Sequence, residues 1–267
     1  MKKEYKKSKV IYYTDELNDD FDEIDGVKKR PPLKNNYNYQ RKGIIRFFDF
    51  LLYYFIAKPI LGFYCLFHGI KVKNKGYLRL LKRKGAFFYS NHVAISDVFK
   101  FQSLIIFSKK VNIIGYSDAS QIPIAKFLVK SLGYMPIPDN ANNLLHFKEI
   151  IAENILKRKE YILIYPEAHI WPYYTKIRPF KSVSFYYPAM LNAPIVPITT
   201  TWRKVWYSKK PRQTIIFSKP IYPKEELGVN ENKEYLRDEC YQEMMRVSLK
   251  FPQYEYIKYI KKDENEK

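Results

Sequence analysis

A chain of 267 residues with 46% hydrophobic content can bury a full core and fits one α/β domain with extensions, or two small domains. Two cysteines provide neither a disulfide framework nor a metal cluster, which points to a reducing compartment. The formal net charge is +20, and residues 41–210 hold 27 Lys and Arg against 8 Asp and Glu, so the basic excess sits on the body and suits nucleic acid, an anionic membrane surface or phosphorylated substrates.

Residues 1–40 mix a Lys cluster with an acidic run, Asp15, Glu16, Asp19, Asp20, Asp22, Glu23 and Asp25, followed by Pro31-Pro32. This composition predicts a largely disordered charged arm that can tack onto the basic body. The opening MKKEYKKSKV has charge with no apolar core behind it, so no signal peptide is read there. Residues 41–70 form a second unit. From Ile44 to Phe67 they are almost all apolar or aromatic, interrupted by Arg46, Asp49 and Lys58-Pro59. A spanning helix needs about 20 apolar residues, and a Lys near the bilayer centre costs about 2.5–3.5 kcal/mol. The expectation is a helical hairpin broken at Lys58-Pro59 and lying in one leaflet, with Arg41, Lys42, Lys71, Lys73 and Lys75 at headgroup level. A hairpin buried in the fold and a single spanning helix are the other readings.

The body, residues 71–252, alternates. Strand-like apolar runs fall at 86–90, 111–115, 134–137, 161–165, 194–200 and 213–217, with helix-period segments at 97–108, 122–132 and 141–158 between them. A C-terminal helix is predicted over Glu231–Lys250, with a frayed charged tail at 253–267. The fold class is α/β, a central mixed sheet flanked by helices.

The run Gly85–Ser90 ends on Asn91-His92, and Asp97 follows where the next helix-period segment opens. A His at a strand end with a carboxylate at a helix start is the minimal kit for a general base and its orienter. Such a pair also arises by chance, so its context decides. Three further landmarks follow in order: Gln121-Ile122-Pro123 leading to Gly133-Tyr134-Met135-Pro136-Ile137; Ile164-Tyr165-Pro166-Glu167 followed by Arg178-Pro179-Phe180-Lys181; and Ala193-Pro194-Ile195-Val196-Pro197-Ile198. Their order and spacing over residues 65–220 resemble the glycerolipid acyltransferases, the 1-acylglycerol-3-phosphate and lysophospholipid acyltransferases.

The resemblance implies transfer of a fatty acyl group from a thioester, on coenzyme A or acyl carrier protein, to an acceptor hydroxyl. His92 would be the general base and Asp97 would fix its tautomer, while Asn91, Glu167, Arg178 and Lys181 would bind substrate. Neither a metal nor a bound cofactor is implied. Direct transfer is expected, with N–H groups near 96–99 holding the oxyanion; Ser90 and Ser96 lack a Gly-x-Ser-x-Gly elbow. The chain departs from the family in three places. Ala168-His169-Ile170 replaces Gly-Thr-Arg, Pro138-Asp139 stands where an Arg would bind the acceptor phosphate, and Ser182 replaces a Gly. Lys176, Arg178 and Lys181 could substitute, or the acceptor is not simple lysophosphatidic acid. His68 and His146 read as structural, and His169 as a binding or packing residue.

The leading expectation is an acyltransferase at the cytoplasmic face of the cell membrane, peripheral or monotopic, whose partners are membrane lipid and acyl-CoA or acyl carrier protein. A different lipid or glycan acceptor is the second reading. A basic membrane- or nucleic-acid-binding module is the third, though no recognition motif supports nucleic acid.

Overall fold

The computed structural model describes residues 10–21, 32–94, 96–104, 109–117 and 129–262. Seven strands form a mixed sheet: β2 (Lys71–Lys73), β3 (Ala86–Ser90), β4 (Val111–Gly115), β5 (Tyr134–Pro136), β6 (Tyr161–Ile164), β7 (Ile195–Val205) and β8 (Ser208–Phe217). Their spatial order is β2-β8-β7-β3-β6-β4-β5, and every pairing is parallel except the β7–β8 hairpin. Buried residues alternate between the two faces as strand geometry demands. Phe87, Tyr89, Ile162, Ile164 and Ile195 pack with Phe147, Ile150 and Ile151 of α4 (Ala141–Ala152), and with Leu236, Cys240 and Met244 of α6 (Val229–Lys250). Ala86, Phe88, Leu163, Val196 and Phe217 face the other way, with Phe101 of α3 (Asp97–Leu104) and Leu78 and Leu81. A short α5 (Tyr186–Met190) precedes β7. The predicted α/β class, a mixed sheet flanked by helices, is the one observed.

The apolar unit differs from the expected hairpin. It is one helix, Gly43–Phe67, made of α1 (Gly43–Leu51), a π-helical turn (Leu52–Ala57) and α2 (Lys58–Phe67), and it is long and apolar enough to cross a membrane. At 25 residues it measures about 37 Å. The wide turn lies just ahead of Pro59, whose ring and missing N–H would disrupt a regular α-helix, and so the chain continues instead of breaking. Nor is the helix buried. Tyr53, Lys58 and Cys65 face the body, while Phe47, Phe48, Phe55, Ile60, Phe63, Leu66 and Phe67 are exposed. The Tyr53 hydroxyl accepts the Val111 N–H at 3.0 Å, and Lys58 donates to the Lys109 carbonyl.

The arm also differs from expectation in its described parts. β1 (Val10–Tyr13) pairs in parallel with β9 (Lys258–Lys261), so stretches of the arm and of the tail hold each other. Tyr13 and Phe21 pack against Trp171, which is fully buried. Leu33 donates its N–H to Asp139 at 2.8 Å, and Tyr37 donates its own to Asn143 at 2.9 Å. Two residues of the acidic run that composition assigns to a disordered segment, Asp15 and Asp19, accept local N–H groups in turns. Gln121-Ile122-Pro123 and most of the predicted helix at 122–132 lie outside the described residues; residues 129–131 are helical.

Candidate active site

Parallel strands deliver their C-terminal ends to one edge of the sheet, where α/β folds seat their ligands. β3 lies between β6 and β7, with Tyr89 opposite Ile164 and Ser90 opposite Ile198. The residues just beyond β3 and β6 are therefore neighbours, and these are Asn91-His92 and Tyr165-Pro166-Glu167.

His92 and Asp97 meet. Nδ1 of the imidazole lies 3.4 Å from Asp97 Oδ2, and the ring stacks on Tyr165 with centroids 4.1 Å apart. At that distance the contact is longer than an ordinary hydrogen bond. His92 is 7% exposed, and with Nδ1 turned to Asp97 it is Nε2 that is left for another partner.

Asp97 begins α3 and organises the loop ahead of it. Its Oδ2 accepts the N–H groups of Val93 and Ala94 at 2.9 and 2.7 Å, and its own N–H donates to the Ala94 carbonyl at 3.0 Å. The opposite oxygen, Oδ1, accepts from the Lys100 ammonium and from Gln213 Nε2 at 3.1 Å, and Lys100 also reaches Gln213 Oε1. Burial pushes the Asp97 carboxyl up, but the Lys100 ammonium and the His92 hydrogen bond outweigh it and hold the group below its ordinary value. It stays an ionised carboxylate.

Glu167 is buried, not an exposed surface residue. Its Oε2 accepts the His92 N–H at 3.1 Å, and its Oε1 accepts the Arg178 N–H at 3.0 Å. The Arg178 guanidinium sits 3.5 Å from Glu167 Oε2 and also donates to the carbonyls of Glu167, His169 and Glu16. Burial raises the Glu167 carboxyl above its ordinary value despite Arg178 and these N–H donors. Trp171 covers the pair, its ring 4.9 Å from the guanidinium carbon; its main-chain N–H donates to the His92 carbonyl at 3.2 Å and its indole N–H to the Asp19 carbonyl at 2.7 Å.

Of the residues expected to bind substrate, the fold brings three to this corner and ties each of them to protein. Asn91 is 1% exposed; its amide donates to the Thr200 carbonyl at 3.0 Å and accepts the Thr200 N–H at 2.8 Å. Glu167 and Arg178 form a buried pair rather than an open cradle, because a lone guanidinium or carboxylate would be costly at this depth. Lys181 is exposed and is not drawn into the cluster, and Lys176 is likewise exposed. His169 lies 3.4 Å from Asp20 of the arm. His68 stacks on Tyr64, and His146 sits on the surface near Glu149. Among the described residues, no three of His, Cys, Asp and Glu gather as a metal-holding group.

Two residues close to the pair escape a reading from sequence. Lys100 lies one helical turn after Asp97, and that spacing is a usable signal. Gln213 comes from β8, 116 residues from Asp97, and nothing local announces it.

A family model described as Acyltransferase matches residues 69–201, about half the chain, and that span carries His92, Asp97, Glu167 and Arg178. The chain belongs to the acyltransferase family. No curated protein sequence matches it. Among solved structures, this acyltransferase is similar to the crystal structure of PlsC, the 1-acyl-sn-glycerophosphate (LPA) acyltransferase from Thermotoga maritima, with a TM-score of 0.49 and 13% identity, over 79% of this chain and 99% of that one.

Proposed function

We propose that this acyltransferase moves a fatty acyl group from an acyl thioester, acyl-CoA or acyl carrier protein, to the hydroxyl of a lysophospholipid, 1-acyl-glycerol-3-phosphate foremost. The observation that carries the reading is the His92–Asp97 pair beyond the C-terminal end of β3, inside the acyltransferase domain. An alcohol is a poor nucleophile at neutral pH and needs a base as it attacks. Nε2 of neutral His92 takes the hydroxyl proton as the oxygen attacks the thioester carbonyl, and the ionised Asp97 stabilises the imidazolium from the other side. The Asp97 N–H is taken by the Ala94 carbonyl, so the donors for the oxyanion are the next N–H groups in the first turn of α3. The thiolate leaves and takes up the proton from the imidazolium, so the base is restored and no acyl-enzyme forms. Helix Gly43–Phe67, with its exposed apolar side, attaches the enzyme to the cytoplasmic face of the membrane that holds both amphiphiles.

A second reading keeps the chemistry and changes the acceptor to another lipid or a glycan hydroxyl. The engagement of Arg178 with Glu167 and three main-chain carbonyls favours it, because that guanidinium is not open to an acceptor phosphate. The test is a scan of the purified full chain over lysolipid and glycolipid acceptors with both donor types. Transfer to lysophosphatidic acid supports the first reading, transfer only to unphosphorylated acceptors supports the second, and no transfer to any hydroxyl removes both.

A further inference from the structure

The turn between β7 and β8 consists of Trp206 and Tyr207. Two-residue hairpin turns favour Asn, Asp and Gly, which accept the backbone geometry and suit solvent. Here the tip presents two aromatics, and Trp206 is 95% exposed, more than any other large hydrophobic side chain among the described residues. Folding gains nothing from an indole held in water.

The tip is fastened to the end of the apolar helix. Arg203 donates to the Gly69 carbonyl, and Gly69 follows His68, the residue that ends the helix. The Tyr207 hydroxyl lies so close to Gly69 that a Cβ there would stand 2.8 Å from it, and the φ of +56° at Gly69 favours a glycine. Exposed Leu66 and Phe67 thus end the helix that leads into this junction, and exposed Trp206 belongs to the turn fastened to it. The surrounding chain is uniformly basic. Residues 203–212 hold Arg203, Lys204, Lys209, Lys210 and Arg212 with no acidic residue. A recess of about 400 Å³ beside the tip is lined by Lys204, Trp206, Tyr207, Lys209 and Tyr254.

We propose that the β7–β8 turn is a second membrane contact, in which Trp206 enters the headgroup layer of an anionic bilayer and Lys204, Lys209 and Lys210 meet its phosphates. The inference rests on the membrane attachment proposed above and adds a site to it. Indoles prefer the membrane–water interface because they present an apolar body and one N–H donor. Lysines beside an anionic leaflet gain about fivefold in affinity each. Helix and turn together give two anchoring points instead of one, so the protein cannot pivot about the helix axis, and the orientation of the body relative to the lipid is set.

The remaining two tryptophans make the test clean, since Trp171 and Trp202 are buried at 0% and 4% exposure. Full-length protein is mixed with vesicles of phosphatidylcholine alone, or of three parts phosphatidylcholine to one part phosphatidylglycerol, with and without brominated acyl chains. The anionic vesicles should shift the tryptophan emission to the blue and the brominated lipid should quench it, and Trp206→Ala should lose both signals. Lys209→Ala with Lys210→Ala should lower partition onto the anionic vesicles by about twentyfold and leave phosphatidylcholine binding unchanged. Protein that sediments with vesicles while Trp206 is neither shifted nor quenched would overturn the second contact and leave helix attachment standing. Failure to bind any vesicle would remove both, and the acceptor scan in detergent would still judge the acyl-transfer reading separately.

Discussion

The ammonium of Lys100 rests on one oxygen of Asp97 while the imidazole of His92 faces the other. Both partners of this ion pair are buried, at 1% and 2% exposure. Breaking such a pair from one side leaves an uncompensated charge, at a cost of about 3–5 kcal/mol, whereas replacing both members can be nearly neutral. Lys100→Met and Asp97→Asn should each destabilise the protein by that order. The double variant should lose clearly less than the sum of the two, with a coupling of about 2 kcal/mol or more by urea denaturation. Additive losses would mean that the pair does not hold the loop.

Stability against pH should carry opposite signatures from the two buried carboxylates. The Asp97 carboxyl is held below 3.8, so its contribution is fully present above that pH and is lost as pH falls through the folded-state value. The Glu167 carboxyl is raised above 4.5 by burial, so its contribution is present below 4.5 and is lost as pH rises through the folded-state value. Measured as urea midpoints, the gap between wild type and Asp97→Asn should narrow on acidification below about pH 4. The gap between wild type and Glu167→Gln should narrow in the other direction, above about pH 4.5. Two gaps that do not vary with pH would contradict the electrostatics of the site.

The turn after Glu167 offers a stabilising substitution. Ala168 has φ +63°, a left-handed conformation that costs a residue with a Cβ about 1 kcal/mol. Ala168→Gly should raise stability by roughly that amount at unchanged activity. A fall in melting temperature would show that the alanine methyl contributes packing that outweighs the strain.

The strand runs and their alternation were legible because each buried strand is a short apolar block between polar stretches. β3, β4, β5, β6, β7 and β8 overlap the predicted runs, and the C-terminal helix begins within two residues of its expected start. His92 and Asp97 could also be read, since a five-residue separation across a strand end and a helix start is local. What the sequence hides is non-local: Gln213 reaches Asp97 from β8, and Arg178 folds inward onto Glu167 because Trp171 and the arm close over it. Surface cations and buried ones look alike in a string, so Arg178 and Lys181 read as equivalent, yet one is fully buried and the other exposed. Lys58-Pro59 reads as a break because proline usually is one; the π-helical turn ahead of it absorbs the defect.

The exposed side of helix Gly43–Phe67 can be tested without disturbing the side that packs on the body. Phe55 and Phe63 are 64% and 61% exposed. Each contributes roughly 1.5–3 kcal/mol when buried in an apolar phase. Phe55→Glu with Phe63→Glu should therefore lower vesicle partition by about a hundredfold or more, with the circular dichroism spectrum unchanged. Undiminished cosedimentation would mean that this face does not meet lipid.

Acyl transfer by His92→Gln, measured on full-length protein with saturating thioester and the best acceptor from the scan, tests the proposed chemistry most directly. The amide keeps a polar side chain of similar reach but cannot take the hydroxyl proton. Turnover should fall by about a hundred- to ten-thousandfold, with the unfolding midpoint and vesicle binding of the wild type retained. Turnover near the wild-type rate would contradict the assignment of the imidazole as the base.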